Sequence, residues 1–258
     1  MIVLDILLQL VVIFGLIFIF GFTIAAINKR FYYNLGDKSH IVCIATGFIG
    51  TPIHELSHAL MCIIFGHKIN EIKLFTPSCS DGLLGYVNHS YNSKNFYQRM
   101  GNFFIGIAPI VFGSCLLIGI LYLLLPEVYN NIINVFWHMD LMAVSTIASG
   151  FADVFMYILD AFATWQWWLF LLIGFFIAMH MTLSKQDIEN SKTGIFVCII
   201  LIMLVNLVCY FIDKNIVTKI TSTILSGAIL LLCFFCIILV MMLILLSISY
   251  IVKIIKRI

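Results

Sequence analysis

The residues from Gly50 to Lys68 read GTPIHELSHALMCIIFGHK, and this stretch decides how the rest of the chain is interpreted. It is apolar and close to the roughly 20 residues that a membrane-spanning helix needs. Its middle nevertheless carries His54, Glu55 and His58. Ionisable side chains are costly inside a bilayer, where they face protein or a water-filled cavity and serve a function. The stretch therefore predicts a membrane-embedded helix that carries a functional site.

The composition of the whole chain places this helix in a membrane protein. Of the 258 residues, 63% are hydrophobic and only 10% are charged, and the mean hydropathy is +1.13. A soluble domain of this length does not hide so much apolar surface. The small net charge of +2, without a basic tract, excludes nucleic acid as the partner. We therefore expect a single integral membrane domain over residues 1–258, surrounded by the lipid bilayer.

Six apolar runs are long enough to cross the membrane. They cover approximately residues 2–27, 41–65, 102–125, 165–183, 195–212 and 224–252. The predicted fold is an all-α polytopic membrane protein with about six transmembrane helices. Its core spans residues 41–212, and residues 213–258 form a C-terminal helix and a basic tail. Residues 127–163 form either an interfacial helix or a seventh span.

A polar region, residues 67–98, follows the histidine-bearing helix. Its Asp-Gly pair at 81–82 and its partial alternation predict a small β-hairpin. The edge of such a hairpin can bind an extended peptide as an additional strand. Residues 81–90 are therefore expected either to bind substrate or only to seal the site. His67 and His89, in or beside the hairpin, are expected at the surface.

The distribution of basic residues predicts the orientation, because loops rich in Lys and Arg stay in the cytoplasm. With alternating spans, nine basic residues fall on the side of the hairpin, the polar break at 185–192 and the tail, and five fall on the other side. The site is therefore expected to open toward the cytoplasm. The composition is rich in Ile, Asn and Lys, which is typical of a low-GC bacterium. We therefore expect the protein in a bacterial cell membrane.

The sequence HELSH, residues 54–58, matches the H-E-x-x-H pattern of zinc hydrolases. Residues four apart on a helix share one face, so His54 and His58 can hold one Zn²⁺ together. Glu55 is then placed to take a proton from a zinc-activated water that attacks a carbonyl group. The pattern predicts a zinc cofactor with Glu55 as the catalytic base. The alternative is a set of polar residues that join helices by hydrogen bonds.

A catalytic zinc ion needs a third protein ligand and an open position. Asp187, in the polar break after a span, is the first choice, and it must reach the depth of the two histidines. His180 lies two turns before it if the helix continues, and we expect it to support the site or to contact substrate. Asp160 is the alternative ligand. Both aspartates also suit a solvated loop or helix face.

Two asparagines occupy positions where a polar side chain needs a partner. Asn102 stands at the expected start of a span, where it caps the helix or, as the second option, contacts substrate. Asn206 lies within an apolar span and is expected to hydrogen-bond to another helix.

Together these features resemble the intramembrane zinc metalloproteases of the site-2 protease type. The resemblance rests on HELSHAL in an early apolar segment, on the hairpin after it, and on RMGNFFIGIAPIVFGSCLL at residues 99–117. In this last segment Ile107, Ala108 and Pro109 stand where the family usually has Ala-Gly-Pro. The resemblance covers about residues 45–125, and its specific part is the H-E-x-x-H match.

The resemblance implies a mainly helical bundle with zinc below the membrane surface and a membrane-spanning or membrane-bound peptide as substrate. The family's third ligand is an aspartate, usually in Asn-x-x-Pro with a following Leu-Asp-Gly. Only Leu159 and Asp160 remain of that pattern here. The segment LSKQDIE, which contains Asp187, resembles the corresponding segment of some divergent members.

The expected function is that of a membrane-embedded zinc endopeptidase, which hydrolyses peptide bonds of transmembrane or membrane-associated peptides. Two alternatives stay open. One is a zinc hydrolase that acts on a non-peptide membrane substrate, and the other is a catalytically idle binding or immunity protein. The presence of Glu55 argues against the idle protein, since a scaffold needs no base beside its metal ligands.

Overall fold

The computed structural model describes residues 2–77, 84–138 and 144–255. Within them the protein is an all-α, membrane-type structure with one small two-stranded sheet. The helices are α1 (Ile2–Leu10), α2 (Leu16–Leu35), α3 (Ser39–Ile64), α4 (Phe96–Leu124), α5 (Pro126–His138), α6 (Val144–Ala161), α7 (Trp165–Ala178), α8 (Lys185–Ile212) and α9 (Lys214–Ile255). The strands are β1 (Lys68–Lys73) and β2 (Tyr86–Ser90).

Among the described residues, four helical stretches are long and apolar enough to cross a membrane, or five if a bent pair counts as one span. The bent pair consists of α6 and α7, and the chain bends by 108° at the break between them. The first stretch, Ile2–Ile64, contains α1, α2 and α3, which the sequence predicts as two spans. The helical membrane-type fold is therefore confirmed, whereas the number of six spans stays a prediction.

Gly36 separates α2 from α3 within this first stretch. Its φ of +58° with ψ of −129° is accessible mainly to glycine, and a short 3₁₀ turn follows from it. Asn28 on α2 donates to the carbonyl oxygen of Met179 at 2.8 Å, and Thr46 on α3 lies 3.1 Å from a ring nitrogen of His180. Because both helices reach the same segment, α3 returns alongside α2.

The predicted β-hairpin is present, since β1 and β2 pair antiparallel. The predicted turn at 81–82 falls within residues 78–83, which lie outside the described residues. The hairpin folds back along α3, because Phe75, which follows β1, packs edge-on against Phe48 with 5.9 Å between ring centroids. The strands therefore lie beside the histidine-bearing helix, and the base of the hairpin lies at the end of α3.

Helix α7 ends at Ala178, and α8 begins only at Lys185. The helix does not continue from His180 to Asp187, so the two residues do not share one helical face. Ser184 caps α8: its hydroxyl accepts from the Asp187 N–H at 3.1 Å, and the Asp187 carboxylate accepts from the Ser184 N–H at 2.8 Å. This capping box fixes the first turn of α8.

Helix α8 approaches α4 closely because glycine stands at the contact. A Cβ atom on Gly106 would lie 2.5 Å from the carbonyl oxygen of Asp187 and would also meet the Ser191 side chain. One on Gly194 would lie 2.7 Å from the Cβ of Phe103. The contacts thus move backward along the α4 sequence, from Gly106 to Phe103, as they move forward along α8, from Asp187 to Gly194. The two helices run antiparallel, and the first turn of α8 lies beside the middle of α4.

Helix α9 packs along α1 and α2 and contributes to a buried hydrophobic core. Gln9, Asn206 and Thr221 form a buried polar group that joins α1, α8 and α9. The amide of Gln9 donates to Asn206 at 3.0 Å and to Thr221 at 2.8 Å, and the amide of Asn206 donates back to Gln9 at 2.8 Å. The interhelical hydrogen bond predicted for Asn206 is confirmed.

The end of α9 lies away from the hairpin base. The ammonium group of Lys253 lies 4.2 Å from the centre of the Tyr33 ring, beside the turn between α2 and α3. The hairpin begins at the opposite end of α3. The expectation that the tail and the hairpin share one side is therefore wrong for Lys253. The last basic residues of the tail, at 256–257, lie outside the described residues.

Candidate metal centre

Helix α3 carries the HELSH motif and turns both histidines to the same side. The Nε2 atoms of His54 and His58 lie 3.0 Å apart. This proximity follows from the four-residue spacing, because such residues stand one above the other on a helix face.

Main-chain carbonyl groups fix both imidazole rings. The Nδ1–H of His54 donates to the carbonyl oxygen of His180 at 2.6 Å, and the Nδ1–H of His58 donates to that of Ile105 at 2.7 Å. A carbonyl oxygen only accepts, so each neutral ring carries its proton on Nδ1 and presents the Nε2 lone pair to the other ring. Two such lone pairs repel each other unless a cation lies between them.

Asp187 contributes a third acceptor to the same point. Its Oδ1 lies 3.4 Å from Nε2 of His58, and its side chain is only 12% exposed. One ligand atom from each of His54, His58 and Asp187 lies within 4.8 Å of the others. The capping box on Ser184 holds the other carboxylate oxygen, which leaves Oδ1 directed at the histidines. Three acceptors from two distant segments thus converge.

This arrangement fits a zinc ion. Ligand atoms about 2.0–2.1 Å from a tetrahedral ion lie roughly 3.3–3.4 Å from one another. The observed separations of 3.0 and 3.4 Å are close to that value. Two imidazoles and one carboxylate form a catalytic zinc ligand set, which leaves the fourth position open. The carbonyl partners of the two Nδ1 atoms are also typical of zinc-ligating histidines.

Asp160 and Asn102 lie elsewhere. Asp160, the alternative ligand, is exposed on α6 and belongs to neither of the metal-ligand groups among the described residues. Asn102 is buried on α4 and donates to the Thr193 hydroxyl at 3.2 Å, so it joins α4 to α8. The expectation that Asn102 caps its helix is wrong, because α4 begins at Phe96 with Asn95 as the cap.

His180 supports His54 through its main chain. Its carbonyl oxygen accepts from His54, whereas its ring lies between two hydroxyl groups of α3. The ring nitrogens lie 3.1 Å from the Thr46 oxygen and 3.4 Å from the Thr51 oxygen. These contacts hold the segment between α7 and α8 against α3, and they leave the ring outside the group of three ligands.

Glu55 borders a cavity of about 730 Å³ that is also lined by His54, His58 and Asp187. Its own exposure is 7%. One wall of the cavity is formed by the β2 residues Tyr86, Val87, Asn88 and His89. The same cavity is therefore lined by Glu55, by the three converging acceptors and by one strand of the hairpin.

A second group of ligand-type side chains, missed from the sequence, lies at the base of the hairpin. It consists of Cys62, His67 and His89. His67 is 6% exposed, so its expected surface position is wrong, and His89 is half-buried. Burial lowers the pKa of His67, and burial with the neighbouring His67 lowers the pKa of His89 to about 4. Local spacing gave no signal for this group, because the folded-back hairpin brings it together.

Comparisons of the chain with protein-family models, with curated proteins and with solved structures give no match. The resemblance to site-2 proteases therefore stays a prediction from the motifs. A fold alone does not determine an activity, which depends on the chemistry of the site.

Proposed function

We propose that the protein is a membrane-embedded zinc endopeptidase of the site-2 protease type, with His54, His58 and Asp187 as zinc ligands and Glu55 as catalytic base. The observation that carries this proposal is the convergence of three acceptor atoms at separations of 3.0 and 3.4 Å. A single divalent cation satisfies all three acceptors at once. Hydrogen bonds between neutral rings do not, because both Nε2 atoms offer lone pairs.

In this proposal, each residue around the zinc site has a separate role in peptide hydrolysis. Bound zinc would supply Lewis-acid activation of water and of the substrate carbonyl group. Glu55 shares the cavity with the ligands, so its carboxylate can take the proton of the attacking water. Glu55 then gives this proton to the amine nitrogen as the C–N bond breaks. The carbonyl oxygens of His180 and Ile105 keep the ligand rings in place meanwhile.

Strand β2 favours a peptide as the substrate. Among the described residues β2 pairs only with β1, and its side chains line the cavity that Glu55 borders. An extended peptide can pair with the remaining edge of β2, which exposes amide groups that a helix would shield. Because the hairpin lies along a membrane-type helix, we propose a transmembrane or membrane-associated peptide as the substrate.

The substitution Glu55→Gln tests the proposed base. The amide keeps the size of the side chain but cannot take a proton from water. We expect unchanged zinc content and a loss of hydrolysis of about 10²-fold or more. The assay uses purified protein in detergent with labelled casein and synthetic single-span peptides, and fragments are identified by mass spectrometry. Glu127→Gln, at an exposed position on α5, is the matched control and should keep full activity.

Three outcomes would contradict the proposal in different ways. Full activity of the Glu55→Gln variant would exclude Glu55 as the base. A zinc-containing wild type that cleaves a lipid ester or a small amide, but neither casein nor the peptides, would be a hydrolase of non-peptide substrates. A wild type that binds the single-span peptides and hydrolyses none of these compounds would be a binding protein.

A further inference from the structure

Cys62, His67 and His89 meet where three parts of the chain come together. Cys62 lies in the last turn of α3, His67 follows the turn at Gly66, and His89 lies on β2. One ligand atom from each of the three lies within 4.8 Å of the others. The group is distinct from the first centre and shares no ligand with it, although Cys62 follows His58 by one helical turn on α3.

The ring of His67 is oriented for coordination. Its Nε2–H donates to the carbonyl oxygen of Gln98 at 2.8 Å, so in the neutral ring the lone pair lies on Nδ1. This Nδ1 lies 3.1 Å from Nδ1 of His89. The ring also stacks on Tyr91, with 5.0 Å between centroids and 17° between planes. A metal-ligating histidine typically has this arrangement, in which the other ring nitrogen donates to a carbonyl group.

The donor set is that of a zinc site. The side chain of Cys62 is fully buried, at 0% exposure, beside two imidazole rings. One sulfur and two nitrogen donors suit Zn²⁺, because a thiolate ligand selects soft or borderline metal ions. The ordinary alternative is a hydrogen bond from the Nδ1–H of His89 to Nδ1 of His67, with Cys62 as a packed thiol.

We propose that Cys62, His67 and His89 bind a second zinc ion, which joins the end of α3 to strand β2. Bound metal would hold the hairpin against α3 and keep the β2 wall of the cavity in position. The proposal rests on this group alone and holds whether or not the first centre is catalytic.

Cobalt substitution separates the two centres, because only the second one contains a sulfur ligand. The purified protein in detergent is stripped with a chelator and titrated with Co²⁺. We expect a thiolate-to-Co²⁺ charge-transfer band in the near ultraviolet for the wild type. The band should disappear in Cys62→Ser and persist in His54→Ala, which alters only the first centre. Cys198→Ser, at another buried cysteine, is the matched control and should keep the band.

Zinc content gives a second readout. The Cys62→Ser variant should lose about one equivalent of zinc relative to the wild type, since one ligand set is broken. If Cys62→Ser does not fold, His89→Ala on the half-buried strand replaces it, with the same expected loss. A wild type without the sulfur band would overturn the proposal in favour of the His67–His89 hydrogen bond. So would a band that survives in folded Cys62→Ser or, if that variant does not fold, in His89→Ala.

Discussion

The two carboxylate oxygens of Asp187 make different contacts. One accepts from the Ser184 N–H at 2.8 Å and caps α8, and the other lies 3.4 Å from Nε2 of His58. A substitution at Asp187 therefore removes a helix cap and a proposed ligand together. Ser184→Ala separates these effects, because it removes only the hydroxyl half of the capping box, at a cost of about 1 kcal/mol in stability.

We expect Asp187→Asn to lose the zinc ion of the first centre, because a neutral amide is a weak zinc ligand even though its oxygen can still accept the cap hydrogen bond. Ser184→Ala should keep the zinc ion, and so should Asp160→Ala, since Asp160 is exposed on α6. Metal analysis of the purified proteins at equal concentration measures the difference. Zinc kept in Asp187→Asn and lost in Asp160→Ala would transfer the ligand role to α6.

At the scale of elements, the site depends on how closely α4 and α8 approach. Gly106 lies at their contact and follows Ile105, whose carbonyl oxygen holds His58. Gly119 lies on the same helix α4, and a Cβ atom there would meet nothing within 4 Å. The two glycines therefore offer a matched pair of substitutions on one helix.

We expect Gly106→Ala to destabilise the protein by about 1–3 kcal/mol, because the added methyl group forces α8 away from α4. The same displacement moves Asp187 from the histidines and should weaken zinc binding by roughly 10–100-fold. Gly119→Ala should leave zinc binding unchanged and stabilise the helix by up to about 1 kcal/mol. Thermal unfolding in detergent and zinc titration measure both effects. Equal behaviour of the two variants would show that the helix contact does not position the ligand.

Short sequence patterns predicted the elements that are formed by residues close to one another in the sequence. The four-residue spacing of HELSH and the alternation in the hairpin were readable in this way, and both elements are present. The polar break before Asp187 was predicted, but the start of α8 at Lys185 was missed, although Ser184 three residues before Asp187 is a capping-box signal. The sequence did not predict the group of Cys62, His67 and His89, because it depends on a hairpin that folds back along α3. The approach of Asp187 to the histidines likewise depends on packing between α4 and α8.

At the scale of the whole molecule, the position of α9 changes the charge argument for orientation. Lys253 lies beside Tyr33, at the end of the bundle where α3 begins. Moving Lys253 to this side changes the predicted distribution from nine and five to eight and six. The excess of basic residues on the hairpin side is therefore halved from four to two, and it favours a cytoplasmic hairpin less strongly.

We expect the base of the hairpin and the C-terminal end of α9 to lie on opposite sides of the membrane. Helix α3 connects the two ends, and its 26 residues rise about 39 Å, more than the roughly 30 Å of a hydrocarbon core. The test uses two proteins, one with a short epitope between the exposed Ser93 and Lys94 and one with the epitope after Ile258. Antibody access in sealed and in permeabilised cells should differ between them. Equal access from one side would show that α3 does not cross the bilayer.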